Sequence, residues 1–157
     1  MIFKSSKGFI KIKKEVWLKL QSYRQIEPHQ PEAGGVLLGR IIKDSSDVVI
    51  DAITVPMKQD ICQRYFFHKN LLAHQKLVSQ AWDESGGTIH YLGEWHTHPE
   101  KRPTPSIHDL HEWKRVLQNT VSDANELFFV IIGTETTKVW SGCLIHQKIV
   151  SLDQTQK

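Results

Sequence analysis

Two cysteines, Cys62 and Cys143, in 157 residues are too few for a disulfide framework. They form no C-x-x-C pair, which excludes a thiolate metal cage and leaves reduced thiols, as expected of a cytoplasmic protein. No apolar run approaches the roughly 18 residues of a membrane-spanning helix, and Met1 to Lys14 lacks the apolar segment of a secretory signal. A strong charge of one sign is missing as well. The formal balance is +3, and lysines concentrate only near the start, at Lys4, Lys7, Lys11, Lys13 and Lys14, where they read as a solvated face. With no RNA- or DNA-binding motif, specific nucleic-acid recognition is not expected. No internal repeat or low-complexity linker interrupts the chain, so one domain over residues 1–157 is expected, long enough to bury a core without staples.

Within that frame, hydrophobic periodicity sets the elements. Phe9, Ile10 and Ile12 alternate as a short strand, and Val16, Leu20 and Tyr23 recur at helical spacing over 14–25. "EPHQPEAGG" (27–35) breaks that helix with two prolines and two glycines. "GVLLGRII" and "DVVIDAITV" are β-branched runs joined by "KDSSD", a hairpin signal, and Tyr65–Phe67 suggests another short strand. Residues 69–84 read as a helix with Leu71, Val78, Ala81 and Trp82 on one side. "TIHYLGEWHTH" (88–98) reads as a strand, and "PSIHDLHEWKRVLQN" as a helix burying Ile107, Leu110, Trp113 and Leu117. "ELFFVIIG" and "KVWSGCLI" are two further strands. Short loops between neighbouring strands favour an α+β (mixed α/β) fold, a largely antiparallel sheet flanked by helices, over a doubly wound parallel one.

The chemistry concentrates in "GEWHTHPEKRPTPSIHD" (93–109). His96 and His98 lie two apart on a strand, so both imidazoles face the same side, with Cα atoms roughly 7 Å apart. That spacing lets two ring nitrogens reach one ion at about 2.0 Å each. Trp95 and Thr97 face the other way. Pro99, Pro103 and Pro105 end the strand and stiffen the turn. Ser106 stands at a helix N-cap, with Asp109 in the first turn. Folding that turn back over the strand end delivers Asp109 as an oxygen ligand, giving two histidines, a carboxylate and one exchangeable position, the pattern of catalytic zinc. Ser-x-x-Asp at a helix start is also a near capping box with a purely structural explanation. Hydrolysis needs a carboxylate base as well, and Glu32, Glu94, Glu100 and Glu112 are all candidates that spacing cannot separate.

"PEAGGVLLG", then "HTHP", then Ser106-Ile107-His108-Asp109, resembles the JAMM motif of the JAB/MPN metallopeptidases. The resemblance implies the MPN/JAB (cytidine deaminase-like) fold, zinc on His96, His98 and Asp109, Glu32 as general base, and Ser106 as hydrogen-bond donor to the developing oxyanion. Glu94 is then assigned to positioning or the groove rim. The short chain is similar to prokaryotic JAB proteins encoded beside ubiquitin-like conjugation machinery, and most like the deconjugating peptidases of CBASS antiphage systems. That implies an isopeptidase whose partner is a protein conjugated through a flexible C-terminal tail, a cGAS-like cyclic-oligonucleotide synthase. A non-catalytic MPN scaffold and a RadC-like DNA-associated role are the competing readings.

An extended tail is often held at a sheet edge, so residues 54–68, with edge-like Pro56, are expected to form a groove wall. His108 and His111 are expected to be exposed and His74 to be a packing residue. Trp17, Trp82, Trp113 and Trp140 are expected in the core.

Overall fold

The computed structural model describes residues 1–155. The apolar runs in 34–53 form β3 (Gly34–Ile41) and β4 (Val48–Ile53), an antiparallel pair, and those in 126–143 form β8 (Glu126–Ile132) and β9 (Thr137–Cys143), also antiparallel. β7 (His90–Thr97) joins the two halves, antiparallel to β3 and parallel to β8. The parallel step is made by a crossover through α3 (Ile107–Asn119), as such a step requires. β2 (Phe9–Ile12) runs parallel to β4, while β1 (Ile2–Lys4) pairs antiparallel with both β2 and β10 (Ile149–Gln154). With β10 beside β9 the sheet closes on itself in the order β1-β10-β9-β8-β7-β3-β4-β2. The expected mixed, largely antiparallel sheet with flanking helices is present. Its closure, and the short strands β1, β5 (Ile61–Gln63) and β10, go beyond the sequence reading.

β8 is buried at every position because both faces are covered. Phe128, Val130 and Ile132 join one core with Val16 and Leu20 of α1 (Lys14–Gln21), and Leu127, Phe129 and Ile131 join a second with Trp113 and Leu117 of α3. Each such side chain contributes about 1.5–3 kcal/mol when fully buried, so α3 is pinned to β8 by a firm apolar seam. Trp113 stacks on Phe129 with ring centroids 4.5 Å apart.

The helix faces differ from expectation at their ends. Ile107, the first residue of α3, is 81% exposed, because the helix start overhangs the sheet. On α2 (Leu71–Glu84) the only fully buried side chain is His74, while Leu71 and Trp82 are exposed. Trp82 lies edge-on to His90 outside both cores, unlike the buried Trp113 and Trp140. His74 is buried as expected, but by polar bonds: Nδ1 meets the Thr54 hydroxyl at 2.7 Å and Nε2 meets Asp60 at 2.9 Å.

Gly93 sets the facing of β7. It stands at a register shift against β3 with φ of +133°, and a Cβ there would fall 1.8 Å from the Phe128 carbonyl oxygen. Only glycine fits. The irregularity puts Leu92 and Trp95, three apart, in the same core, and leaves Glu94 and His96 on the opposite side.

Candidate active site and metal centre

The site forms where the C-terminal end of β7 meets the N-terminal end of α3. Ligands commonly bind at the carboxyl ends of parallel strands, and β7 is paired in parallel with β8. The strand end is held on two sides. Ala33 N–H donates to Thr97 Oγ1 at 2.9 Å, and His98 N–H to Ile132 O at 3.0 Å. Trp95 and Thr97 are buried on one face, leaving His96 and His98 together on the other, as the alternation predicts.

The proline turn brings Asp109 to them. Thr134 N–H donates to Glu100 O at 2.7 Å, fixing the turn against the β8–β9 loop, and Pro103 is buried beneath it. Ser106 is the N-cap of α3. Its Oγ accepts from Asp109 N–H at 3.0 Å, and Asp109 Oδ2 accepts from Ser106 N–H at 2.7 Å, a complete reciprocal cap. The same carboxylate lies 3.3 Å from His96 Nε2 and 3.2 Å from His98 Nε2. Structural cap and candidate ligand are therefore one side chain.

The two Nε2 atoms lie 3.0 Å apart, and the ligand atoms of His96, His98 and Asp109 all fall within 4.8 Å of one another. Two imidazole nitrogens and a carboxylate converging on one point suit a shared cation, and this donor set is of the type zinc takes. His98 Nδ1 is buried without a hydrogen-bond partner, with Glu100 Oε1 at 3.6 Å. The ring's short polar contacts, to Asp109 and His96, are thus on its Nε2 side.

Electrostatics match this convergence. Burial alone would raise Asp109, but hydrogen bonds from His96, His98 and Ser106 outweigh it and hold the carboxyl well below the usual range. Burial opposes a charge on His98, yet Asp109, aided by Glu32 and Glu100, raises it. Glu32, in the segment leading into β3, is 6% exposed, and burial pushes it from 4.5 up to about 7, with His98 opposing and Asp109 and Glu100 adding to the rise.

A cavity of about 320 Å³ gathers these groups, with Glu32, His96, His98, Ser106 and Asp109 all on its wall. The other candidate carboxylates line it too, but each is engaged. Glu94 pairs with Lys69 at 2.5 Å and accepts from Tyr91 Oη at 3.1 Å, Glu112 pairs with Arg115 at 2.6 Å, and Glu100 accepts from Thr104 N–H at 3.3 Å. Among the described residues, the Glu32 carboxylate alone of the four has no hydrogen-bond or ion-pair partner.

The expected groove wall is shorter than 54–68. Tyr65, Phe66, Phe67 and His68 line the cavity, but Pro56 and the rest of residues 54–64 do not; Thr54 and Asp60 are instead bonded to His74 of α2, and Ile61–Gln63 form the first strand of a hairpin. That hairpin pairs β5 with β6 (Phe66–His68) and joins no strand of the closed sheet. His108 and His111 are exposed, and His108 approaches Phe66 at 5.7 Å between ring centroids. Lys69 has no motif to announce it, since its role comes from facing Glu94 across the cavity.

Residues 15–142 match the family described as prokaryotic homologs of the JAB domain. A CD-NTase/cGAS isopeptidase of Vibrio cholerae serotype O1 is 40% identical over 132 residues, 83% of this chain and 81% of that one. A protein of the same name from Escherichia coli strain TW11681 is 34% identical over 141 residues, 90% of this chain and 85% of that one. The fold is shared with the solution structure of DSY2949 from Desulfitobacterium hafniense, at a TM-score of 0.61 and 21% identity over 90% of this chain and 88% of that one. A Salinibacter ruber protein matches at a TM-score of 0.54 and 15% identity, over 94% and 91% of the two chains.

Proposed function

We propose, on the premise that this chain belongs to the prokaryotic JAB family, that it is a zinc-dependent isopeptidase. Its substrate is a protein conjugated through its C-terminal tail, a cGAS-like nucleotidyltransferase of an antiphage system, and the relatives' shared name supports that choice. The observation that carries the reading is the assembly of a ligand triad and one unengaged, buried carboxylate around a single cavity.

His96, His98 and Asp109 would hold the zinc, and their donor set fits it. When bound, zinc supplies Lewis acidity, polarising the scissile carbonyl and bringing the pKa of water towards roughly 7. Glu32 takes the proton of the attacking water and returns it to the departing amine. In the metal-free protein burial already raises this carboxyl to about 7, which makes it a readier proton acceptor than an ordinary glutamate. Ser106 accepts one hydrogen bond from Asp109 N–H, which leaves its own O–H free to donate to the oxyanion. The exposed ring of Tyr65, with Phe66 and Phe67, forms the wall along which an extended tail lies. The chain acts as one domain over 1–157 in the cytoplasm. Pairing of β1 with β10 supports the single domain. The complete triad and engaged cap favour catalysis over a scaffold role.

The test is cleavage of a nucleotidyltransferase joined through its C-terminus to a lysine-bearing target, with and without chelator. Chelation is expected to stop the reaction. Glu32→Gln should keep its zinc and lose about 10²–10⁴-fold in rate, whereas His96→Ala should lose the metal. Full activity in Glu32→Gln removes the role given to the base, and indifference to chelator removes the metal.

A further inference from the structure

Glu32 is carried by neither a strand nor a helix. It is the penultimate residue of an irregular stretch, residues 22–33, between α1 and β3, so no continuous backbone ladder holds it. Its immediate neighbour is the β5–β6 hairpin, which also lacks a partner in the closed sheet. Ala33 is tied to Thr97 of β7 and the Phe67 ring packs on Gly34, so each segment has one footing on the closed sheet, and the polar bonds between the two set how closely base and cavity wall are held together.

The joint is a short run of polar bonds. Glu32 N–H donates to Gln63 O, the last residue of β5, at 2.8 Å. Arg64, in the hairpin turn, sends Nη1 to Glu27 O at 2.9 Å and to Gln30 O at 3.3 Å. Gln25 lies between the two segments, 2% exposed, and its Nε2 donates to Gln30 O at 3.1 Å and to Arg64 O at 3.0 Å. One amide thus holds a carbonyl from each side. Its Oε1 is buried without a partner, so the bonds it makes are the two N–H donations. A buried polar side chain kept with one end unsatisfied is costly, which argues that its other end has a task. The hairpin's stem is closed separately. Asp60 accepts from Met57 N–H at 2.8 Å and from Asn70 N–H at 2.7 Å and meets His74, so the stem does not depend on Gln25.

We infer that Gln25 is a positioning residue: its amide locks the groove-wall hairpin to the loop carrying Glu32, so that the surface meeting the substrate and the base acting on it are held as one piece. The inference rests on the role proposed above for Glu32. Its consequence is directional. Loosening the joint displaces the base while His96, His98 and Asp109, fixed by β7 and α3, keep their places. A displacement of about 1 Å at a reacting group can cost on the order of 10²-fold in rate.

Gln25→Ala removes the donors, and Gln25→Glu keeps the shape while turning oxygen towards two carbonyl oxygens. Both are expected to lower kcat about 10- to 100-fold with KM within about twofold of wild type, with full zinc content, and to speed hydrogen exchange at the Glu32 amide. Arg64→Ala, a change at a half-buried position that removes two of the four side-chain bonds, should do the same in milder form and serves if either Gln25 variant fails to fold. A rise in KM at constant kcat would overturn the inference, since Gln25 would then act on binding alone. Loss of zinc in proportion to activity would also overturn it. Unchanged exchange at the Glu32 amide in folded Gln25→Ala or Arg64→Ala overturns it even if wild type proves inert. Inertness of the zinc-loaded wild-type protein defeats instead the deconjugation reading.

Discussion

Glu32 shows how a single residue can be held against its own stability. Its carboxyl is buried and lies near the charges of Asp109 and Glu100, so ionising it in the metal-free protein is unfavourable until pH approaches about 7, against an ordinary 4.5. A value raised in the folded state means that stability is complete below the ordinary value and is lost as pH rises through about 7. The gap corresponds to up to ~3 kcal/mol. Glutamine has the same shape and no charge to desolvate. Metal-free Glu32→Gln should therefore match wild type near pH 4.5 and exceed it by up to ~3 kcal/mol at pH 8. Urea unfolding of both proteins in chelator, at the two pH values, measures this. Equal stability at both would mean that Glu32 is not desolvated. The predicted excess is the mark of a group retained for chemistry, since a substitution that relieves it also removes the base.

At the scale of elements, the start of α3 combines duties that usually lie apart. Ser106 and Asp109 cap the helix reciprocally, and the same carboxylate reaches both histidines. Ser106→Ala should cost about 1 kcal/mol of stability through the lost cap, and about 10²–10³-fold in kcat through the lost oxyanion donor. Ser106→Thr, which keeps the hydroxyl, should recover most of both. Melting curves and cleavage rates on the two variants check this, and a fully active Ser106→Ala would leave the serine with its structural duty alone. The pattern Ser106-x-x-Asp109 is visible in one dimension because both duties act within one helical turn, and His96-x-His98 because a strand alternates with period two. The longer strands β3, β4, β7, β8 and β9 are visible because each is an apolar-rich run of six to eight residues bounded by turn signals. β1 and β5, at three residues each, are too short to carry a period, and the pairing that closes the sheet joins Phe3 to Gln154 across nearly the whole chain. Ile107 and Trp82 fall on apolar stripes yet lie where the helices overhang their support. Gln25 and His74 are buried by hydrogen bonds, which hydrophobic periodicity does not register.

For the whole molecule, the metal would act as a tie between distant parts of the chain. β7 is locked to β3 and β8 in mid-sheet, whereas α3 is seated through Trp113 and Leu117 on the second core, meets the His96 ring through Trp113, and brings a carboxylate to the histidines at its first turn. The connection between them, residues 98–106, is a proline turn held to the β8–β9 loop, where Glu100 O accepts from Thr134 N–H and Lys101 O from Glu135 and Thr136 N–H. An ion shared by His96, His98 and Asp109 closes that loop from within, and a ligand bound only by the native fold stabilises it by mass action. At a zinc concentration a thousandfold above Kd the gain is about 4 kcal/mol, which for a chain of this size corresponds to a rise in Tm of roughly 8–16 °C. The zinc-loaded protein should therefore melt higher than the chelated one by that margin, and restoring zinc should restore it. His96→Ala should melt alike in both conditions, because one imidazole and a carboxylate already engaged as a helix cap leave too few donors to hold the ion. A wild-type Tm insensitive to chelator would mean that β7 and α3 are joined by packing alone, and the convergence of the three side chains would then have to be explained by the capping box.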